Sequence, residues 1–597
     1  MTESRAGRKL KKTPPKFAVG EQKPNKKENG STTIDAPSSS FSTTLIWLPV
    51  LLAVGVYFYL NPAILIQILD EYIGFSEHYD GAPVALQPAH AYLSADVAKR
   101  DAVVKTFRDS WLAYERNAMG DDEYHPISQQ GSNLTKAGGI GYMVVDVLDS
   151  LQIMGLQNEY SRARKWVEKD LSFDRDDEFS TFETTIRVLG GLLSAYHLSD
   201  GDALYLEKAV DLADRIMPVF DTPSGLPLPV INLARRRGHH TKDFPGLTSI
   251  AEVATLQLEF RYLSQVTGND DYWRAAERVM DVVKKARLPH GLASIFMNID
   301  EGQYITSAIR LGARGDSYYE YLLKQYIQTN GSEQVYRDMY DDSIDAVHNY
   351  LIQKSMGHKM IYTSELVPEK DANDEISWRL TPRQDHLVCF FGGSLMLGAT
   401  RTGSLSQSVS VPPRPDELSE KGKRDWKTGS ELINTCMHTH DTATGLSPET
   451  VYFRVASDGM DALPNAPPDW YIKGAAVGEF PPYDARYMLR PETVESLFIA
   501  WRLTGDQLYR DHGWKIFQSI EKHCKVEGGG GYATIINVDE NPARQEDKME
   551  TFFLSETLKY LYLLFDDAGT LSLDKHVFNT EAHPLPVFDP SIRTGFA

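Results

Sequence analysis

Cysteine is scarce in this chain: Cys389, Cys436 and Cys524 are the three among 597 residues. Three thiols exclude a disulfide-stapled scaffold but leave room for one bridge in an oxidising compartment. No Gly-rich segment runs into Lys-Ser or Lys-Thr, which excludes a phosphate-cradling P-loop. Neither His-Glu-x-x-His nor paired Cys-x-x-Cys occurs, which removes the usual zinc sites. The acidic run 174–178 lacks calcium-loop spacing and reads as a solvated loop. Positive charge is short beyond the N-terminus. The net charge is −20, and the first forty residues hold nine Lys/Arg against four Asp/Glu, so the remainder carries −25. That balance argues against nucleic acid or anionic lipid as a partner.

What is present first is an address. Residues 1–44 are Lys-, Pro- and Ser-rich and read as a disordered cytosolic tail. From Leu45 to Leu69 no charged residue occurs, and the stretch is long enough to cross a bilayer. Basic residues precede it, so residues 45–69 read as an uncleaved transmembrane signal anchor with the remainder in the lumen. Residues 70–102 read as a stem and 103–597 as the luminal domain, with compact structure starting near Val103. Sequons at Asn133 and Asn330 suit that placement.

Acidic residues then stand at the heads of amphipathic helices. Glu492 and Glu495 follow Pro491 and precede Leu497, Phe498 and Trp501; Glu183, Glu252 and Asp316 open similar runs. The helix dipole and free N–H groups favour the charged form of a carboxylate there, as a general base requires. Ser180 with Glu183, Ser249 with Glu252 and Ser317 with Glu320 also fit the Ser-x-x-Glu capping box, which needs no catalysis. Recurrence at one end of successive helices favours chemistry, because a ring of such helices converges its carboxylates on one mouth. Helix, Gly-containing turn and second helix recur around Gly155, Gly201, Gly268, Gly331 and Gly505, with the first helices more apolar. The pattern predicts a solenoid or a closed double-walled α/α barrel. The polar insert 403–427 reads as a mobile surface excursion, and Cys524 as a buried thiol.

In order along 105–586 stand Phe182-Glu183-Thr184-Thr185-Ile186-Arg187, Leu311 to Leu322 with Arg314-Gly315-Asp316, Asp385 to Cys389, Gly445 to Glu449, Arg490 to Glu495, Phe552 to Tyr560 and Phe578-Asn579-Thr580-Glu581-Ala582-His583-Pro584. The series resembles glycoside hydrolase family 47, the class I α-1,2-mannosidases that trim N-glycans. The resemblance implies an all-α (αα)7 double-walled barrel, short β-hairpins on its open face and a C-terminal hairpin plugging it. It implies an inverting, calcium-dependent exo-α-1,2-mannosidase acting on high-mannose N-glycans of glycoproteins. Glu183 would be the general acid, directly or through a water, Glu492 the base and Asp316 a third carboxylate; which of Glu183 and Asp316 delivers the proton stays open. Thr580 would contact Ca2+. Arg187, Arg490, Glu449, Glu495, Phe552, Glu556 and Glu581 match substrate-pocket positions, with Glu252 and His386 lining the same cavity. Arg314 resembles the arginine of endoplasmic-reticulum members that remove one middle-branch mannose, and Cys389 with Cys436 would form the family's disulfide. Met119 departs from the family's tryptophan. The expectation is therefore a monomeric, single-pass type II enzyme of the endoplasmic reticulum membrane, or of the Golgi. The alternatives are a catalytically weak lectin-like member escorting misfolded glycoproteins and a helical-repeat scaffold.

Overall fold

The computed structural model describes residues 93–596, apart from 287, 289–290, 372, 407, 461–465 and 476–478. The expected tail and anchor, 1–44 and 45–69, lie outside the described residues, as does the stem up to residue 92. Among the described residues no helix is long and apolar enough to cross a membrane.

Among the described residues, seven helix pairs close into a ring. The inner helices run over residues 142–153, 181–198 and 250–267, Asp316–Gln328, residues 386–401, Glu492–Thr504 and residues 553–565. Their outer partners are Gln157–Lys169, Ala203–Ile216, Asp270–Ala286, Gln334–Tyr350, Glu420–His438, Gln507–His523 and, for the last, Val97–Ala118. The first described helix thus covers the last inner one and closes the circle. It begins six residues before Val103, inside the stretch read as stem.

Inner helices are buried all round: every residue from Thr493 to Arg502 is buried, whereas the outer Asp270–Ala286 buries one stripe that includes Tyr272, Trp273, Ala276 and Met280. Several turns expected from glycine exist as drawn. Gly268 and Gly505 end inner helices with φ of 71°, a left-handed conformation that glycine adopts without steric cost.

Three inner helices start directly from short strands: Glu178–Ser180 precedes residue 181, Leu247–Ser249 precedes Ile250, and Arg383–Asp385 precedes His386. Each strand belongs to a three-stranded antiparallel sheet. The C-terminal hairpin, His576–Phe578 paired with Pro584–Pro586, packs among inner helices with Asn579 and His583 fully buried. It is the expected plug.

The insert 403–427 is a correction. Residues from Glu420 on form the start of an outer helix, capped by Ser419, whose side chain accepts from Gly422 N. Its low hydrophobicity reflects backbone-to-backbone packing: a Cβ on Gly422 would lie 2.6 Å from the Gly403 carbonyl oxygen. The Cys389–Cys436 disulfide ties this outer helix to its inner partner, and Cys524 is a buried free thiol.

Candidate active site

The heads of the inner helices and the hairpin tip enclose a cavity of about 410 Å³. Glu183, Asp316 and Glu492 line it together, as do Arg187, Glu252, Arg314, Arg490, Glu495, Phe552, Glu556, Thr580 and Glu581. Two expected members stand one layer back. His386 is buried behind Glu492, its Nε2 3.8 Å from Glu492 Oε2 and 3.1 Å from Thr493 Oγ1. Glu449 is buried beneath Arg490, which donates to it through Nε at 3.0 Å. Neither lines the cavity: Glu449 pairs with the lining Arg490, and His386 packs behind Glu492 with its Nε2 on Thr493.

The structure separates capping from chemistry among the three Ser-x-x-Glu repeats. At Glu252 the full box forms: Ser249 Oγ accepts from Glu252 N and Glu252 Oε2 accepts from Ser249 N at 3.0 Å. At Glu183 only Ser180 reciprocates, and the Glu183 carboxylate turns to the cavity, accepting from Arg187 Nε at 2.9 Å and the Tyr142 hydroxyl at 3.2 Å. At Ser317 the expected box is absent. Gly315 takes the cap position, and Glu320 accepts instead from the Thr580 hydroxyl at 2.8 Å and from Lys324.

Burial overturns the expectation for Glu492. The helix terminus and Arg490 favour its charge, yet loss of water dominates and pushes its carboxyl up to about 7. Asp316 is pushed up to about 7 and Glu495 to about 8, again chiefly by burial, with neighbouring carboxylates adding to both. Burial and mutual repulsion raise Glu556 and Glu581 well above the ordinary carboxylate range. Glu492 Oε2 is buried with no hydrogen-bond partner among the described residues. An orphan carboxylate oxygen in a sugar-sized cavity is free to accept a proton from water.

Thr580 shares this cavity with more carboxylate than the nearby cations neutralise. Among the described residues no three His, Cys, Asp or Glu side chains converge closely enough to hold a metal directly. The donor set is all oxygen and rich in carboxylate, which suits a hard divalent cation that keeps most of its waters.

Three of the ten described non-glycine residues with positive φ sit at or next to cavity-lining residues. Arg314, Leu489 and Ala582 take φ of 74°, 63° and 58°, conformations costing on the order of 1 kcal/mol or more for residues with a Cβ. Arg314 is held by its carbonyl, which accepts from Ala251 N at 3.1 Å, and its guanidinium lies 5.0 Å from the Phe244 ring centroid and 5.4 Å from that of Phe296. It makes no ion pair with a described residue, so its donors remain for a ligand. Two inner helices, Thr184–Leu189 and Phe553–Thr557, are π-helical where Arg187 and Glu556 project, a local widening common at functional sites.

Sequence reasoning missed Glu320, Lys324, Tyr142 and Asp146 as site residues. Glu320 was within reach: it follows Asp316 by four residues and so shares its helix face. Asp146 had no such signal.

The profile of "Glycosyl hydrolase family 47" matches residues 106–587. A Candida albicans protein named mannosyl-oligosaccharide 1,2-alpha-mannosidase is 44% identical over 499 residues, covering 82% of this chain and 84% of its own. Endoplasmic reticulum mannosyl-oligosaccharide 1,2-alpha-mannosidases of Schizosaccharomyces pombe and Homo sapiens are 41% and 40% identical, covering 85% and 83% of this chain and 93% and 64% of their own. The solved alpha-1,2-mannosidase from Trichoderma reesei superposes with a TM-score of 0.71 at 27% identity, over 83% of this chain and all of that one. The chain, with its ring of seven helix pairs and its acid-lined central cavity, belongs to glycosyl hydrolase family 47 and is a glycoside hydrolase.

Proposed function

We propose that the protein is an inverting, calcium-dependent exo-α-1,2-mannosidase that removes one terminal mannose from high-mannose N-glycans in the endoplasmic reticulum lumen. The observation that carries this is the convergence of Glu183, Asp316, Glu492 and Thr580 on one cavity of about 410 Å³. The names of the relatives support the substrate and the compartment. The uncharged run 45–69 supports a type II anchor.

Glu492 acts as base, taking a proton from the attacking water at its unpartnered Oε2. Arg490, fixed by Glu449, and the neutral His386 behind keep that carboxylate in place; burial holds the imidazole well below its usual range. The departing sugar oxygen receives its proton from Glu183, held by Arg187 and Tyr142, or from Asp316, held by Ser317 N at 2.8 Å. Glu183→Gln rescued by an aryl mannoside with a good leaving group would put the proton on Glu183; rescue of Asp316→Asn instead would put it on Asp316. Water attacks from the face opposite the leaving group, which needs carboxyl groups roughly 6.5–9.5 Å apart. Thr580 would hold calcium through its oxygens, with waters and sugar hydroxyls completing the shell, and the ion would orient the mannose and polarise its hydroxyls. Arg314 offers several donors to the neighbouring glycan branch.

The deciding experiment incubates the luminal fragment with a nine-mannose glycan, with and without chelator, following product isomers and the anomer first released. The expected outcome is loss of one mannose, initial β-mannose and no release in chelator. Rapid loss of several mannoses would remove the branch assignment, initial α-mannose would remove inversion, and glycan binding without release would leave a lectin.

A further inference from the structure

Behind the cavity wall a chain of charged side chains runs out of reach of water. Asp146, Asp149, Lys559 and His583 are 0% exposed. His583 Nδ1 lies 2.7 Å from Asp149 Oδ2 and its Nε2 lies 3.1 Å from Asp146 Oδ1. Lys559 Nζ is 2.8 Å from Asp149 Oδ1 and donates to the Ala582 carbonyl at 2.8 Å. Ser194 donates to Asp149 and Ser555 to Asp146. Asp146 Oδ2 then stands 3.7 Å from Arg187 Nη1. That guanidinium donates through Nε to Glu183 at 2.9 Å and through Nη1 to Glu581 of the hairpin tip.

Burying so many charges is costly, and apolar side chains of equal volume would usually serve stability as well or better. The arrangement does something packing cannot: it ties three inner helices, at residues 142–153, 181–198 and 553–565, to a hairpin tip whose Ala582 is held in a left-handed conformation. Asp146 is the joint. One of its oxygens faces the hairpin through His583 and the other faces Arg187 and Ser555.

We infer that Asp146 is a positioning residue that couples the Thr580 hairpin to Arg187, and thereby fixes where Glu183 stands relative to the metal-holding tip. The inference rests on the proposed hydrolase function. Removing the charge of Asp146 frees Arg187 to settle wholly on Glu581 and loosens the clamp on His583, so the Glu183 carboxylate and Thr580 lose their common reference. Supporting groups of this kind typically matter roughly 10- to 100-fold for metal affinity or activity.

The test compares the luminal fragment with its Asp146→Asn and Ser555→Ala variants by kcat, KM and the calcium concentration giving half of the calcium-induced rise in melting temperature. Asp146→Asn should lower kcat roughly tenfold or more with KM within about twofold, and shift the calcium midpoint upward by roughly tenfold. Ser555→Ala, which keeps every charge and removes one hydrogen bond to Asp146, should shift both in the same direction by less. A variant that merely melts lower, with kcat and calcium midpoint unchanged, overturns the inference. If Asp146→Asn does not fold, unchanged values in Ser555→Ala overturn it equally. A wild-type fragment that neither releases mannose nor responds to calcium would overturn the functional reading and this inference with it. A responsive wild type matched by its variants overturns this inference alone.

Discussion

At Glu492 two forces meet, a helix terminus that favours its charge and a cavity that removes its water. Burial wins, and the carboxyl sits near 7. A base must be ionised, so kcat/KM should fall on the acid side of a pH profile of the free enzyme, and the midpoint of that limb should lie above the ordinary carboxylate range. Glu492→Gln should lower kcat by at least about a thousandfold while glycan binding persists. Raised carboxyls also make stability depend on pH. Asp316, Glu492 and Glu495 bind more protons folded than unfolded between their ordinary range and about 7 to 8. Unfolding free energy therefore falls as pH rises from about 4.5 to about 8, and His583, raised to about 9, adds in the same direction above about 6.5. In chelator the melting temperature should drop across that window, and calcium should restore most of it at pH 8, where more of the cavity's carboxylate charge has developed. At Arg314 the expected outcome of Arg314→Leu is a change of product isomers with the first-order release of mannose retained, measured by separating the trimmed glycans.

At the scale of elements, the pair of residues 386–401 and Glu420–His438 is where a disulfide and glycine packing act together. The 47-residue separation of Cys389 and Cys436 gives a loop-entropy contribution of about 4 kcal/mol. Cys436→Ser should lower unfolding free energy by up to that amount in denaturant titration, and a reductant should do the same. A Cβ on Gly429 would lie 2.6 Å from the Gly392 carbonyl oxygen. Gly429→Ala should therefore cost about 1–3 kcal/mol, because neither helix backbone can retreat without disturbing Ile433 or Met396. The inner–outer alternation was legible in sequence, since apolar spacing and glycine turns report which face a helix buries. The outer helix from Glu420 was not, because its contact is made by glycines, which carry no apolar signal.

Over the whole molecule, closure depends on the first described helix. Val97–Ala118 covers the last inner helix, burying Phe107, Trp111 and Tyr114, which are 0% exposed. A fragment beginning at residue 90 should fold and be active, whereas one beginning at residue 119 should lose cooperative melting and activity, as followed by circular dichroism and mannose release. The reason is topological: a ring missing one outer helix exposes an inner helix that is otherwise buried on every face.

The sequence by itself determined the helix pairs, their turns and the acidic heads of the inner helices, because spacing of apolar residues and glycine acts locally. It could also place Glu183, Asp316, Glu492 and Thr580 in one series through its resemblance to a family. Only the tertiary structure decided that Glu252 caps while Glu320 bonds Thr580, that His386 and Glu449 stand behind the cavity, and that Glu492 is raised rather than lowered. Those outcomes depend on which groups lose water and which distant side chains meet, and the burial of a charge is a property of the closed ring, not of any segment within it.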